Sequence, residues 1–350
     1  MAYSSITKPG DYFNTVLYTG NTSGQSITGV GFQPDFLWIK SRSASYQHSL
    51  RDAARGSTKT IRSNGTNSEA TQSDSVTSFD SDGFTLGADS NSFVNENSAT
   101  YASWNWKGGT TSGLSGGNIT PSAYSYDATS GFGVYKYTGN GSADQTIPHG
   151  LGAIPQLIFY KRLDSSTNWV VQSNLLGNRV QLVLNGTDAE NTDSRLSDSD
   201  NWTSTFFKVG SYGDMNNNGS DHVAYVFCNV KGYCEVGTYT GNGNADGPFI
   251  YTGFRPAWIL LKQTSTSGAG WRIHDIKRGI SGNPEDETLY ANSSSSESTG
   301  RNVDFLSNGF KLRTDSGDGN SSGATYIYMA FAENPFVANN SGTAVPVVAR

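Results

Sequence analysis

The chain has 350 residues and a formal charge of −6, with 15% charged residues against 41 Gly, 18 Tyr, 17 Phe and 7 Trp. Glycine for turns and aromatics for pleated, half-buried surfaces is the balance of an all-β protein. There is no run of Lys or Arg to neutralise phosphates and no apolar stretch approaching a membrane helix, so nucleic-acid binding and membrane insertion are disfavoured.

Met1 to Gly20 lacks a basic region followed by an apolar one, which predicts synthesis in the cytoplasm without a signal peptide. The first landmark is Tyr18-Thr19-Gly20-Asn21. Pro34 follows, and six positions later Lys40 closes Asp35 to Lys40, a run apolar on both faces that reads as a covered central strand. Asp52-x-x-Arg55-Gly56 comes next. Phe79-x-Ser81-Asp82-Gly83-Phe84-x-Leu86 predicts a hairpin with a type I′ turn at Asp82-Gly83, and Tyr101 to Trp106 is an aromatic strand. Gly108 to Gly131, rich in Gly, Ser and Thr, reads as a linker.

The same order then returns. Tyr137-Thr138-Gly139-Asn140 precedes Pro155 to Lys161, the turn-like Gln181 to Gly186, the series Trp202, Ser204, Phe207 and Val209, and the strand Tyr225 to Val230. After a short junction, Val230 to Gly237, come Tyr239-Thr240-Gly241-Asn242 and Pro256 to Lys262. Asp275-x-x-Arg278-Gly279, Phe305-x-Ser307-Asn308-Gly309-Phe310-x-Leu312 and Tyr326 to Phe331 complete the third copy. A period of about 100 to 120 residues is far longer than a solenoid turn and large enough to bury a core. The prediction is all-β, with three tandem β-sandwich domains of jelly-roll or concanavalin-like type at 1–107, 132–231 and 232–336. The linker is 108–131 and the C-terminal tail 337–350. Repeat one should swing, while repeats two and three should form a stiff pair.

The charged Asp-x-x-Arg-Gly pairs read either as a catalytic acid with a cationic partner or as ion pairs holding a turn. The middle copy has Asn174-x-x-Gly177 there, so the fold does not require the charges. His48, His149, His222 and His274 have no Gly-x-Ser-x-Gly elbow to serve, and no carboxylate pair is legible, so no catalytic residue is assigned and the chain reads as a non-enzyme. Cys228 and Cys234 read as plain thiols, or as a disulfide in an oxidising exterior; with His222 they supply three candidate zinc ligands, one short of a structural site.

Two kinds of binding site are suggested. Asp214, Asn216 and Asn218, followed by Gly219, imitate the opening of a calcium loop, with Asp315 and Asp318 at the same place in repeat three; ordinary Asn/Asp/Gly turn chemistry is the other reading, and Tyr225 stands at the twelfth position where such a loop needs Glu. No other cofactor is implied. Tyr46, Trp169, Trp202 and Trp271 are aromatics beside polar loops that could stack on sugar rings or simply fill the core.

The Tyr-Thr-Gly-Asn-Gly landmarks, Gly253-Phe254-Arg255-Pro256, Asp304 to Leu312 and Tyr326 to Glu333 resemble a repeat domain of virion and tail-fibre-like proteins encoded by tailed phages of aquatic bacteria. That resemblance covers most of Tyr18 to Phe336. It implies concanavalin-like or jelly-roll sandwiches on the virion exterior, present in many copies or as a homo-oligomer and bound to other capsid or tail proteins. The expected function is adhesive, through contact with host-surface glycans. Alternatives are a capsid decoration or cement protein, using Met1 to Asn14 or Val337 to Arg350 as an arm, and a polysaccharide depolymerase. The family carries no catalytic motif to transfer.

Overall fold

A computed structural model describes residues 4–91, 93–279 and 283–335. The tail assigned to 337–350 lies outside these residues. The chain is all-β, and each repeat builds its main antiparallel sheet in the same order. The opening strands, Phe13–Thr19, Phe132–Thr138 and Cys234–Thr240, pair with the closing strands Thr100–Trp106, Asp221–Cys228 and Thr325–Pro335. These in turn pair with the central strands Phe36–Ser41, Pro155–Arg162 and Phe254–Gln263. Beyond each central strand lies a partner strand, Ser49–Asp52, Val170–Ser173 or Arg272–Asp275. The register aligns the repeats residue by residue: Trp38 faces Trp104, Phe159 faces Tyr225 and Leu260 faces Met329.

Central strands with two apolar faces need two covers. The outer cover is a small sheet within each repeat. In repeat one, Gln25–Thr28, Gly83–Leu86 and Val76–Asp80 pack Ile27, Phe84 and Val76 against Leu37 and Ile39. The strands Gln145–Pro148 with Phe206–Val209, and Phe249–Tyr251 with Gly309–Leu312 and Val303–Leu306, do the same for repeats two and three.

The inner cover is the other two repeats. Phe36, Trp38 and Trp104 of the first, Phe159, Trp169 and Tyr225 of the second, and Trp258, Leu260 and Trp271 of the third belong to one continuous core. At its centre the equivalent residues Trp106, Phe227 and Phe331 form a triangle, with ring centroids 5.7, 6.1 and 6.4 Å apart. Burying one such side chain is worth about 1.5–3 kcal/mol, so separating the repeats would cost more than a typical net stability of about 5–15 kcal/mol. Three separate beads with a swinging first repeat would leave these rings in water.

The segment read as a linker is built into this arrangement. Its strand Ala123–Asp127 adds an edge to the sheet of repeat two, and Ser125 Oγ and the Gly108 N–H both donate to Asp35 of repeat one at 2.8 Å. At the front of the chain, Ile6 is buried in the shared core.

The hairpins predicted at Asp82-Gly83 and Asn308-Gly309 form, but one residue out of phase. Asp80 pairs with Gly83 and Leu306 with Gly309, so the two-residue loops are Ser81-Asp82 and Ser307-Asn308. Glycine is needed for close approach rather than for a type I′ turn. A Cβ on Gly83 would collide with the Ile27 carbonyl oxygen, and one on Gly309 with that of Ile250. The landmark glycines Gly20, Gly139 and Gly241 are explained similarly, since a Cβ there would strike the backbone carbonyls of Glu96, Asn217 and Ser321.

Candidate functional site

The three repeats meet at three equivalent seams that close a ring. Across them the backbone N–H groups of Glu69, Glu190 and Glu297 donate to the carbonyls of Leu163, Thr264 and Arg42 at 2.7–2.8 Å. One ring nitrogen per seam reinforces the contact. Trp169 Nε1 donates to the Arg62 carbonyl at 2.8 Å and Trp271 Nε1 to that of Val183 at 2.9 Å, while His48 Nε2 lies 3.0 Å from the Tyr290 carbonyl. His48 thus occupies the place of a tryptophan, and its Nδ1 accepts from Trp38 Nε1 at 2.8 Å.

The Asp-x-x-Arg corners sit inside two of these seams. Asp52 Oδ2 accepts from Arg55 Nε and from Tyr225 OH of the next repeat, both at 2.6 Å. Asp275 Oδ2 accepts from Arg278 Nε at 2.6 Å and from Trp104 Nε1 at 2.9 Å. Each arginine also reaches a glutamate, Arg55 to Glu69 at 3.3 Å and Arg278 to Glu297 at 2.6 Å. Burial opposes the charge of Arg55 and of Arg278, but the adjacent Asp52 and Asp275 outweigh it and keep both guanidiniums protonated. These carboxylates are fully buried and saturated with donors, an arrangement suited to a strut rather than to proton transfer.

In repeat two the register places Ser173 and Leu176, rather than Asn174, at the positions of the aspartate and arginine. The residue that would face them, equivalent to Tyr225 and Trp104, is Met329. Acid, base and hydrogen-bond donor are therefore replaced together by a short polar residue and two apolar ones, and Leu176 packs on the shared core.

The lysines closing the central strands are buried cations held by carbonyls. Lys40 donates to Ser41, Lys161 to Thr66 and Thr167, and Lys262 to Ala269, at 2.8–3.1 Å. Burial lowers Lys40 to about 7 and the other two to about 8.

The candidate calcium residues have separate surroundings. Asn216 is fully buried, and its amide clasps the landmark turn: Oδ1 accepts from the Asn140 N–H, and Nδ2 donates to the Ser142 and Gly210 carbonyls, all at 2.8 Å. Asn95 and Asn320 do the same for Asn21 and Asn242. Asp214 is half-buried and its carboxyl is raised by that burial, while Asn218 is exposed. Asp318 is held by Tyr290 OH at 2.6 Å and Arg301 at 3.2 Å, and Asp315 is exposed. Among the described residues no group of three or more His, Cys, Asp or Glu is placed to hold a metal ion. Cys228 and Cys234 are buried free thiols, and burial pushes Cys228 up to about 12.

Of the candidate sugar-stacking rings, Trp169, Trp202 and Trp271 are buried, so their faces are committed to packing, and Tyr46 lies partly buried on the outer core of repeat one. The concave surface lies elsewhere. Two depressions of about 620 and 510 Å³ share Ser267, the first lined by repeat three and the second by repeat two with Ser267 of repeat three at its edge. Residue spacing gave no signal for either, because each wall gathers loops that lie far apart in the sequence, Gln263 to Ala269 with Gly317 to Ala324 in the first and Asn168, Gln181 to Asp193 and Tyr212 with Ser267 in the second.

A family model described as a domain of unknown function, DUF7483, matches residues 8–335. The chain belongs to this family. The DUF7483 match runs through all three repeats, in keeping with a core that all three share. No curated protein and no solved structure matches the chain.

Proposed function

We propose that this DUF7483 protein is a non-enzymatic external virion protein of a tailed phage. Its repeats are sandwich units fused about one core, carried in many copies on the particle and adhesive toward host-surface glycans. The observation behind this reading is the set of three Asn-clasped turns. In each, a buried amide fixes the backbone, and the exposed Asn21, Asn140 or Asn242 folds a further turn by accepting from Ser23, Ser142 or Asn244 at 2.8–3.0 Å. Polar groups held in advance by a rigid scaffold lose little entropy on binding, and three equivalent loops on one body allow weak contacts to multiply.

Capsid decoration is the second reading. It calls for an arm reaching a neighbour, and of the two candidate arms the N-terminal one is occupied at Ile6 by the chain's own core. Depolymerase activity ranks third, given the donor-saturated Asp52 and Asp275. The test is saturable binding of the purified chain to host cells with competition against phage adsorption. Binding and competition support adhesion, whereas a folded protein that does neither favours decoration.

A further inference from the structure

The three seams differ in one respect that packing does not require. At the positions of Glu69 and Glu297, both tied to buried arginines, repeat two has Glu190, which is exposed and forms no ion pair among the described residues because Leu176 replaces the arginine. The position two strands from the seam's centre diverges as well. Thr60 and Thr288 are buried threonines whose hydroxyls meet Ser49 Oγ and the Asp286 carbonyl, and their equivalent is Gln181. Gln181 is only 6% exposed; its amide nitrogen donates to Asn191 Oδ1 at 3.1 Å, and its Oε1 has no hydrogen-bond partner. A buried acceptor left unpaired is destabilising, and Gln181 lines the 510 Å³ depression together with Glu190, Asp188, Asp193 and Tyr212.

We infer that this depression at the seam of repeats two and three is a binding site for a neutral saccharide. The walls offer the exposed carboxylates of Asp188 and Glu190 beside the amides of Asn168 and Asn191 and the Ser267 hydroxyl, and sugar hydroxyls, which both donate and accept, match that mixture. The volume falls within the ~300–1,000 Å³ of small-ligand pockets. A cation is the poorer fit: Arg195 stands at the rim, paired with Asp193 and lying 4.8 Å over the Tyr212 ring, and no three carboxylates are grouped to hold a metal among the described residues. Repeat two has lost the ion pair that seals the other seams and gained Gln181, whose buried Oε1 is unpaired, in the lining of the depression.

This assignment deepens the adhesive reading and rests on it. The full chain is titrated with glucan, galactan, mannan and N-acetylglucosamine oligomers by calorimetry and saturation-transfer NMR, alongside spermidine and calcium chloride. One oligosaccharide class should bind, and Gln181→Leu should weaken it about tenfold, the order of one lost acceptor, with the melting temperature unchanged or raised. Glu190→Gln, at the surface, gives a second variant that need not disturb folding and should also weaken binding. No saccharide bound, equal binding by wild type and both variants, or binding of spermidine or calcium alone would overturn the assignment. Cell binding that persists in both variants would overturn it while sparing the adhesive reading; sugar binding lost in the variants of a chain that never bound cells would sustain the site and remove its adhesive role.

Discussion

His48 shows how a single residue carries the history of the repeat. It fills the place of Trp169 and Trp271, bridging Trp38 to the carbonyl of Tyr290 in the third repeat, and burial lowers its imidazole to about 3. Against an unfolded value near 6.5, the folded state binds this proton less readily, so the unfolded chain takes up more protons as the pH falls below about 6.5. The stability associated with neutral His48 is present above that pH and is lost progressively toward 3. Relative to His48→Gln, which cannot titrate there, wild type should lose on the order of 2 kcal/mol by about pH 4.5, read from paired urea unfolding curves at pH 7 and pH 4.5. A pH-independent difference would show that the imidazole is not held neutral by burial. The clasp role of Asn95, Asn216 and Asn320 was not legible in the sequence, where Asn216 read instead as part of a calcium loop, because each acts on a turn more than 70 residues earlier.

Elements were far more legible than their surroundings. Pro34 to Lys40 and its two copies announced strands apolar on both faces, and the structure buries Phe36–Ser41 completely. Two apolar faces say that a strand is covered twice without saying by what, and the reading of separate beads assumed that each repeat supplied both covers. The Asp-x-x-Arg corners were likewise readable as pairs, but their donors, Tyr225 and Trp104, lie in other repeats. Asp52→Asn should cost about 3–5 kcal/mol, since it removes the nearer counterion of the buried Arg55 guanidinium and leaves only Glu69 at 3.3 Å. Importing the repeat-two solution, Asp52→Ser with Arg55→Leu and Tyr225→Met, should cost less than that single change, because the charges and the donor leave together. Urea midpoints of the two variants decide it, and a triple variant weaker than Asp52→Asn would show that this seam needs its ion pair.

On the scale of the whole molecule, three sheets with equivalent order turn their inner faces toward one another and close a ring, so that Trp106, Phe227 and Phe331 meet at its centre. Such a body presents its three clasped loops from a fixed frame, which is what multivalent attachment to a surface uses. It also makes the stability of each repeat conditional on the others. The decisive measurement is differential scanning calorimetry of the intact chain. One cooperative transition, with a calorimetric enthalpy close to the van't Hoff value, is predicted for a shared core. Two or three separate transitions, or a calorimetric enthalpy well above the van't Hoff value, would contradict it and return the chain to independently folding repeats.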